Sequence, residues 1–488
     1  MTLVIDGHSL AYEMENLCRL FYPREKIKTV TEIQEGDPFV YTGVKRLPEG
    51  IRLDVRLKAG KTERNHSELL AADTDDMELG RRMAVVLWNM LSEVCGIRPA
   101  WGILTGVRPI KLYGRLASQM GDEAVPAYFQ EKLLVSPEKT RLARLTWDNQ
   151  KTLLSLSKPE SYSLYVAIPF CPTRCAYCSF VSTSVEKAAH LIPKYVELLC
   201  GELRRTAEIA QSLKLCLQSV YIGGGTPTVL SADQLAEVIA AIRGNFDLSD
   251  CREFTVEAGR PDTVTIEKLA AMRVGGVTRI SINPQTLNDE VLREIGRKHT
   301  AAQTLSAFEL ARCHGFNNIN MDLIAGLPKD TPESFHQTLK KVISLSPESI
   351  TVHTLALKRA ARLNQEGAEG LRADAAGRMV SLADGMLPQS GYRPYYLYRQ
   401  SRMVGNLENT GWAKPGFESL YNVFIMEECQ SILACGAGAV TKLRDPYSNR
   451  IERIFNFKYP YEYIGRHEEM MNRKDRVKEF YESIGRHR

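Results

Sequence analysis

The first third of the chain begins with segments in which apolar and polar residues alternate. FVYTGV at 39–44 and IRLDVRL at 51–57 follow this two-residue period, which is typical of strands with one buried face. MELGRRMAVVLWNMLSEVCG at 77–96 instead has its apolar residues at helical spacing and ends on Gly96, a common helix stop signal. Residues 1–160 are therefore predicted to form a separate accessory α+β domain.

Between residues 161 and 370, short strand-like runs alternate with longer helical segments. Six runs have this strand character: LYVAI from 164, SVYIG from 219, EFTVE from 253, TRISIN from 278, NINMDL from 318 and SITVHT from 349. Helical segments such as IPKYVELLCGELRRTAEIAQSL are long enough to cross back over a sheet, as parallel strands require. The pattern predicts an α/β core, a partial (β/α)6 barrel, whose functional residues gather at the C-terminal ends of the strands.

After about residue 370 this alternation is lost. A helical segment is followed by the tyrosine-rich run YRPYYLY and the glycine turn CGAGAV, and a highly charged stretch begins at about Tyr459. We predict that residues 371–488 form a C-terminal cap or substrate domain.

Composition and charge narrow the class of protein. The chain has 488 residues, of which 44% are hydrophobic and 25% charged, which suits two or three globular domains. Its 63 basic and 58 acidic residues give a net charge of +5 without a long basic run, so no nucleic-acid partner is predicted. The N-terminal segment has acids at Asp6, Glu13 and Glu15 and no long apolar core. We therefore expect no signal peptide, no membrane span and a cytoplasmic location.

Three of the 11 cysteines are clustered, and the others are scattered, as is typical of a reducing compartment. Cys171, Cys175 and Cys178 in CPTRCAYC lie four and three positions apart. A short loop with this spacing can direct three soft thiolates at one iron-sulfur cluster, and three ligands instead of four leave one iron open to another ligand. Buried reduced thiols or part of a zinc site are the alternatives. Zinc sites favour paired CxxC knuckles, and the chain has no second CxxC.

Gly223, Gly224 and Gly225 in GGGTPT follow the second predicted barrel strand. Three glycines remove every side chain, so the backbone there can approach a ligand and offer N–H or C=O groups to it. One unit after the cysteine loop, such a turn fits a cradle for the amino group of a ligand. A plain sharp turn is the alternative.

A polar residue stands near the C-terminal end of each of the next three strands. Glu257 ends the third strand, Gln285 follows the fourth, and Asp322 lies within the fifth. Carboxylates at such places can accept hydrogen bonds from ribose hydroxyls or an ammonium group. Each alone could be a satisfied buried polar group, but together they predict a ring of side chains that converge on one ligand.

Several motifs resemble those of one family. YVAIPFCPTRCAYCSF, VYIGGGTPT, SINPQTLND, IGRKHT and NMDLIAGLP are similar to motifs of the oxygen-independent coproporphyrinogen III oxidase family of radical S-adenosylmethionine (SAM) proteins. TGVRPIKL and YYLYRQSRMVGNLENTGW resemble its HemZ-type branch. The resemblance implies a [4Fe–4S] cluster whose open iron binds SAM, an electron that cleaves SAM to a 5′-deoxyadenosyl radical, and an electron donor such as flavodoxin or ferredoxin.

The resemblance also implies roles for particular residues. Cys171, Cys175 and Cys178 would bind the cluster. The residues lining one or two SAM sites would be Tyr165, Tyr177, Gly224, Gly225, Thr226, Glu257, Gln285, Arg297, Asp322 and Ala356. The guanidinium of Arg297 could hold a SAM carboxylate in a bidentate grip, with an exposed helix arginine as the alternative.

The activity that the resemblance implies is the conversion of two propionates of coproporphyrinogen III to vinyl groups, which gives protoporphyrinogen IX in haem biosynthesis without oxygen. The four substrate propionates need cations, and Lys358, Arg359 and Arg362 are candidates, with a solvated helix start as the alternative.

Two positions depart from the pattern of the oxidases. Phe180 stands where a fourth cysteine follows the third, and Ala167 stands where a histidine is usual. The Phe180 pattern is shared with related haem chaperones. A haem-binding chaperone is therefore the alternative function, with His353, Cys429 or Cys435 as candidate haem ligands.

Overall fold

The computed structural model describes residues 1–34, 36–106, 108–178, 182–356, 373–400 and 403–485. The chain forms two compact units. The first comprises Met1–Arg144 and Arg399–Leu407, and the second comprises Leu145–Tyr398 and Glu408–Arg488.

The first unit contains a mixed five-stranded sheet, counted over its described residues, in the order β2-β1-β3-β4-β5. Its strands are β1 (Thr2–Asp6), β2 (Lys28–Val30), β3 (Phe39–Leu47), β4 (Gly50–Ala59) and β5 (Thr62–Leu70). Its helices are α1 (Ala11–Phe21), α2 (Asp76–Cys95), α3 (Pro109–Met120) and α4 (Val125–Glu131), with a short 3-10 turn at Val404–Asn406. Helix α5 (Pro137–Leu154) contains the boundary between the units.

The predicted patterning of this unit is confirmed. On β4, Leu53 and Leu57 are fully buried, whereas Arg56 between them is exposed. Helix α2 begins after Asp75, whose side chain accepts a hydrogen bond from the N–H of Glu78, and it ends at Gly96 in the left-handed conformation with φ of 67°. The apolar faces of α1, α2 and the sheet share one core.

The second unit contains an eleven-stranded sheet within the described part of the chain, in the order β14-β15-β13-β12-β11-β10-β9-β6-β16-β17-β18. Its strands are β6 (Ser161–Ile168), β9 (Cys216–Gly224), β10 (Glu253–Glu257), β11 (Arg279–Ser281), β12 (Ile319–Ala325), β13 (Ser349–Thr354), β14 (Arg393–Tyr398), β15 (Asn409–Ala413), β16 (Ser431–Cys435), β17 (Val440–Arg444) and β18 (Ile451–Phe455), and β7 (Phe170–Cys171) pairs separately with β8 (Thr183–Ser184).

Helices alternate with the central strands of this sheet. They are α6 (Val185–Ala188), α7 (Ile192–Ser212), α8 (Ala232–Asn245), α9 (Ile266–Val274), α10 (Asp289–Glu294), α11 (Ala301–Cys313) and α12 (Pro332–Leu345), with 3-10 turns at Ala189–Leu191, Pro227–Val229 and Pro261–Thr263. Later helices are α13 (Ala373–Gln389), α14 (Leu420–Glu427), α15 (Pro460–Gly465), α16 (His467–Arg473) and α17 (Asp475–Gly485). No helix in the described ranges is both long enough and apolar enough to cross a membrane.

The six central strands, β6 and β9 to β13, are parallel neighbours, and each overlaps one of the six predicted runs. The predicted α/β core of a partial barrel is thereby confirmed. Strands from the region predicted as a cap extend both edges of the same sheet, because β16 pairs with β6 and β15 pairs with β13. The two compact units thus differ from a division at residues 160 and 370, and the three-domain boundaries stay a prediction.

One face of the central strands is lined by polar side chains that bind one another. The hydroxyls of Ser163 and Ser219 are 2.6 Å apart, and Nη2 of Arg279 donates to Oγ of Ser349 at 3.0 Å. All four residues are at most 1% exposed. This polar face forms the lumen of the partial barrel.

Helix α14 closes the lumen at the N-terminal ends of the strands. Glu253, the first residue of β10, accepts hydrogen bonds from Oγ of Ser419 at 2.9 Å and from the N–H of Leu420 at 2.6 Å. A carboxylate at a helix N-terminus satisfies N–H groups that have no partner within the helix. The opposite, C-terminal ends of the strands carry the loops on which the predicted site residues lie.

Candidate cofactor site

The cysteine loop follows β6 directly. Cys171 ends β7, and Cys175 and Cys178 lie in the loop after it; none of these three described cysteines forms a disulfide, and each is partly exposed. The N–H of Ala176 donates to the carbonyl of Ile295 at 3.0 Å, which fixes the middle of the loop. Burial raises the pKa of the Cys171 thiol, so a bound cation is needed to favour its thiolate form.

The donor set of the loop, three cysteine thiols, is of the kind that binds an iron-sulfur cluster. Among the described residues, no three His, Cys, Asp or Glu side chains are arranged to hold one metal ion. In a [4Fe–4S] cluster each thiolate binds a different iron, so the sulfurs need to face one volume without meeting at one point. The three thiols are partly exposed and lie within eight residues of one anchored loop, so one cluster is within their sequence reach. Phe180 lies outside the described residues.

The glycine turn packs directly against the cysteine loop. A side chain on Gly225 would collide with the carbonyl oxygen of Phe170, and Gly224 has φ of 107°, which favours glycine. Oγ1 of Thr226 donates to Sγ of Cys171 at 3.6 Å. The prediction that these two motifs lie at the ends of adjacent strands is thus confirmed.

Three N–H groups of the glycine turn are already bound within the protein. The N–H of Gly225 donates to Ile168 at 2.8 Å, and the N–H of Thr226 donates to Phe170 at 2.7 Å. The N–H of Gly224 is engaged by the Glu257 carboxylate. Since these three donors are already bound, a ligand ammonium group would bind here through carbonyl oxygens, which are hydrogen-bond acceptors.

Glu257 stands at the end of β10 beside the glycine turn. A side chain on Gly223 would lie 3.0 Å from its carboxylate. Burial raises the pKa of Glu257 to about 7, although the Tyr221 hydroxyl, which donates to its Oε1 at 2.6 Å, opposes the rise. This carboxyl group can therefore accept or donate hydrogen bonds near neutral pH.

Asp322 lies on β12 and faces the same lumen. Its Oδ1 accepts from Nδ2 of Asn320 at 2.7 Å, and its Oδ2 lies 3.7 Å from Nε2 of His353. Burial alone would raise the pKa of Asp322, but His353 and Asn320 hold it below its usual range. Of the two carboxyl groups Asp322 and Glu257, Asp322 is therefore the one that is ionised.

Gln285 is fixed next to Asp322 by its backbone. Its N–H donates to the carbonyl of Asp322 at 2.9 Å, and its own carbonyl accepts from Ile324 at 3.0 Å. Its φ of 67° is unusual for a residue other than glycine. Such strain is common at functional sites, where neighbouring contacts hold the backbone in place.

Arg297 is buried, so the alternative of an exposed helix arginine is wrong. Only 7% of it is exposed, and it lies beyond the end of α10. Nη1 donates to the carbonyl of Asn283 at 2.6 Å and Nη2 to the hydroxyl of Tyr177 at 3.2 Å. Burial alone would lower the pKa of Arg297, but Tyr177 and Cys175 raise it. Its Nε has no hydrogen-bond partner among the described residues, which leaves a buried donor for a ligand anion.

The predicted Tyr165 belongs to a stack of three tyrosines. Its ring lies 6.3 Å from that of Tyr221 and 6.1 Å from that of Tyr421, and the latter two rings are 4.5 Å apart. Ala356 lies at the same end of the sheet, because the preceding residue, Leu355, donates its N–H to Ala325 at 2.9 Å. The structure thus brings the predicted residues to the C-terminal ends of neighbouring strands.

The sequence-based prediction did not include two groups of residues at this site. Tyr221 and Tyr421 join the stack below the carboxylates, and Arg260 and Asp262 form an ion pair behind the cysteine loop. Tyr221, Arg260 and Asp262 stand in or directly after central strands, so the strand-end rule that found Glu257 could also have found them. Tyr421 had no such signal, since it comes from a distant helix.

Comparison with known proteins identifies the family. Residues 165–342 match the family model described as the Radical SAM superfamily. The chain is 36% identical over 475 residues, or 94% of each chain, to the oxygen-independent coproporphyrinogen-III oxidase-like protein HemZ of Bacillus subtilis (strain 168). The chain belongs to this HemZ-like family. The family recognised from the sequence motifs is thus confirmed.

Two further relatives place the HemZ-like chain among its neighbours. It is 32% identical over 312 residues, or 63% of this chain and 77% of the relative, to the heme chaperone HemW of Haemophilus influenzae. The structure of the coproporphyrinogen III oxidase HemN from Escherichia coli, a radical SAM enzyme, superposes with a TM-score of 0.51 at 25% identity and covers 66% of this chain and 72% of that one. The HemZ-like chain has the HemN type of fold with an additional N-terminal sheet and C-terminal elements. Membership of the radical SAM superfamily implies a [4Fe–4S] cluster and SAM.

Proposed function

We propose that this HemZ-like protein converts two propionates of coproporphyrinogen III to vinyl groups and so forms protoporphyrinogen IX without oxygen. Each propionate loses carbon dioxide, one hydrogen atom that bound SAM would take up as 5′-deoxyadenosine, and one electron that a separate one-electron acceptor would take up. The observation that carries the proposal is the similarity over 94% of the chain to a coproporphyrinogen-III oxidase-like protein, combined with a three-thiol loop packed on the glycine turn.

The chain's own residues would hold two cofactors. Cys171, Cys175 and Cys178 would bind the [4Fe–4S] cluster through their thiolates. When bound, the cluster and SAM supply the one-electron chemistry that removes a hydrogen atom from the substrate. The protein must hold the reacting carbon of the substrate within van der Waals reach of bound SAM. It must also exclude water and oxygen from the site.

Each group of residues around the thiols would bind one part of SAM. The buried guanidinium of Arg297 would bind the carboxylate, and the carbonyl oxygens of the glycine turn would accept from the amino group. Asp322 and Glu257 would accept hydrogen bonds from the ribose hydroxyls. Tyr165, Tyr177, Gln285 and Ala356 would complete the walls.

The substrate and the electron donor also belong to the proposal. An electron donor such as flavodoxin or ferredoxin would reduce the cluster. In a cytoplasmic location the protein would meet both this donor and its substrate. Lys358, Arg359 and Arg362, the candidate cations for the propionates, lie outside the described residues.

A haem chaperone is the second candidate, favoured by the similarity to HemW and by Phe180 at the position of a fourth cysteine. The candidate haem ligands give it less support. Burial raises the pKa of both Cys429 and Cys435 to about 12, which disfavours the thiolate form. His353 lies beside Asp322 in the lumen proposed for SAM.

The deciding experiment is an anaerobic assay of the reconstituted protein with SAM, a reductant and coproporphyrinogen III. We expect SAM-dependent release of carbon dioxide and 5′-deoxyadenosine, with only weak, non-stoichiometric haem binding. The Cys175→Ala variant is the matched control and should release neither product. Tight one-to-one haem binding without carbon dioxide release would favour the chaperone.

A further inference from the structure

Arg260 is a buried arginine behind the cysteine loop, and no role in binding cluster or SAM accounts for it. Only 3% of the residue is exposed. Its Nε and Nη2 donate to the two carboxylate oxygens of Asp262, each at 3.1 Å. Its remaining arm, Nη1, donates to Oγ1 of Thr173 at 3.1 Å. Because all three of its nitrogens are bound, the planar guanidinium of Arg260 is fixed in one orientation. The single ammonium group of a lysine would not be fixed in this way.

Thr173 connects Arg260 to the cysteine loop. It stands two residues from both Cys171 and Cys175, and its Oγ1 also donates to the carbonyl of Gly296 at 3.1 Å. The same hydroxyl thus connects the loop to Arg260 on one side and to the turn after α10 on the other. A shift of Arg260 would therefore move two of the three thiols.

Arg260, Arg297 and Asp262 together place a net positive charge beside the cysteine loop. Arg260 and Arg297 are two buried guanidinium groups, and Asp262 is the acid paired with the first of them. Although burial alone would raise the pKa of Asp262, His299 and Arg260 hold it below its usual range, so the acid is ionised. Nδ1 of His299 lies 3.6 Å from Oδ1 of Asp262. One carboxylate offsets one of the two guanidinium charges.

We propose that Arg260 is a positioning residue for the cysteine loop and that Arg260 and Asp262 together set the reduction potential of the cluster held there. The inference rests on the cluster site of the proposed function. A cluster with three thiolate ligands becomes more negative when it gains an electron. A nearby cation stabilises the reduced form and raises the potential, whereas a nearby anion lowers it.

Substitutions of similar size separate charge from geometry. Arg260→Gln removes a positive charge and should lower the midpoint potential, whereas Asp262→Asn removes a negative charge and should raise it. Arg260→Lys keeps the charge but loses the fork, so its potential should stay closer to that of the wild type. Arg243→Gln, at an exposed position on α8, is the control and should leave the potential unchanged. The potentials are measured by anaerobic titration followed by electron paramagnetic resonance.

The positioning role has its own readout. Thr173→Val keeps the shape of the side chain and removes the hydroxyl that Arg260 binds. We expect Thr173→Val and Arg260→Lys to lose iron to a chelator several-fold faster than the wild type. In the cluster-free protein, the two substitutions should also be non-additive in thermal stability, because they break the same contact. This comparison of the single and double variants does not use Arg260→Gln, so it holds even if Arg260→Gln fails to fold.

The outcomes distinguish this inference from the proposed function. Potentials that shift in opposite directions support the inference, whether or not the protein decarboxylates coproporphyrinogen III. Unchanged potentials, or shifts in the same direction, would overturn the inference while leaving the cluster and the activity in place. A wild-type protein that binds no cluster would overturn both.

Discussion

The two sheets of this protein bury opposite kinds of side chain. In the N-terminal unit the buried face of β4 and the facing side of α2 are apolar, with Leu53, Leu57 and Leu87 fully buried. In the second unit the lumen of the central strands buries Ser163, Arg279 and other polar groups that bind one another. Burying polar groups costs free energy unless each is paired, so a polar lumen is a poor way to gain stability. The difference indicates that the first sheet was shaped for stability and the lumen for binding.

The largest effect should come from the loop above the polar lumen. Cys175→Ala removes one of three thiolates, and we expect complete loss of the [4Fe–4S] cluster because two thiolates do not hold it. Iron and sulfide analysis of anaerobically purified protein measures this. Cys313→Ala, at an exposed free cysteine on α11, is the control and should keep the cluster. Unchanged iron and sulfide in Cys175→Ala would show that the site assignment is wrong.

The apolar side of the comparison is tested at Leu57, which is 0% exposed on β4. Leu57→Ala should lower the free energy of unfolding by about 2 to 5 kcal/mol through lost burial and the cavity left behind. Denaturant unfolding measures it. The same substitution at Leu69, which is 54% exposed on neighbouring β5, should cost about 0.5 kcal/mol or less. Equal costs would mean that this sheet is not stabilised by its apolar core.

These two regions also differ in how far the sequence predicted them. The strand runs were found because alternating or continuous apolar residues report directly on burial, and the predicted run EFTVE coincides with β10 (Glu253–Glu257). The cysteine loop was found because its spacing is local. Such patterns say which face of an element is buried, but they do not say what covers it.

Contacts between distant segments were beyond the reach of the sequence. Tyr421 reaches the stack from α14, and Glu253 caps that helix from across the lumen, although more than 160 residues separate them. The extra edge strands β15 and β16 join the barrel sheet in the same way, which is why predicted domain boundaries and compact units differ. Periodicity carries no information about such pairings.

Within the lumen, Glu257 should make stability depend on pH. Its pKa is raised from 4.5 to about 7. As the pH rises from about 4.5 to 7 the unfolded state loses this proton while the native state keeps it, so stability falls through this window and levels off above it. The size corresponds to about 3 kcal/mol. Glu257→Gln cannot ionise and should lack this part of the loss, as denaturant unfolding at pH 5 and pH 8 would measure.

The control for this prediction is Glu237→Gln on the exposed side of α8, which should keep the pH dependence of the wild type. A Glu257→Gln variant that loses as much stability between pH 5 and pH 8 as the wild type would show that Glu257 is not the group responsible.

The same lumen should lose ligand affinity when its carboxylates are removed. We expect Asp322→Ala and Glu257→Ala each to weaken SAM binding, by up to about 1.5 to 3 kcal/mol, because a hydrogen bond to SAM is lost, which is charge-assisted at the ionised Asp322, while the cluster stays intact. Calorimetric titration with SAM measures the affinity, and Asp233→Ala at an exposed position on α8 is the control. Wild-type affinity in both lumen variants would remove these residues from the site.

The smallest effect separates the ring of Tyr221 from its hydroxyl. The ring stacks on Tyr421 at 4.5 Å, and the hydroxyl donates to Oε1 of Glu257 at 2.6 Å. Tyr221→Phe keeps the stack and removes a donor that favours the ionised carboxylate, so the pKa of Glu257 should rise above 7. We expect a rise of less than about one pH unit, or about 1 kcal/mol, seen as a shift of the pH window of stability to higher pH. Tyr421→Phe is the matched control, because the tyrosine hydroxyl that donates to Glu257 is that of Tyr221. Equal shifts in both variants would mean that the tyrosine stack as a whole, and not the Tyr221 hydroxyl, sets the protonation of the lumen carboxylate.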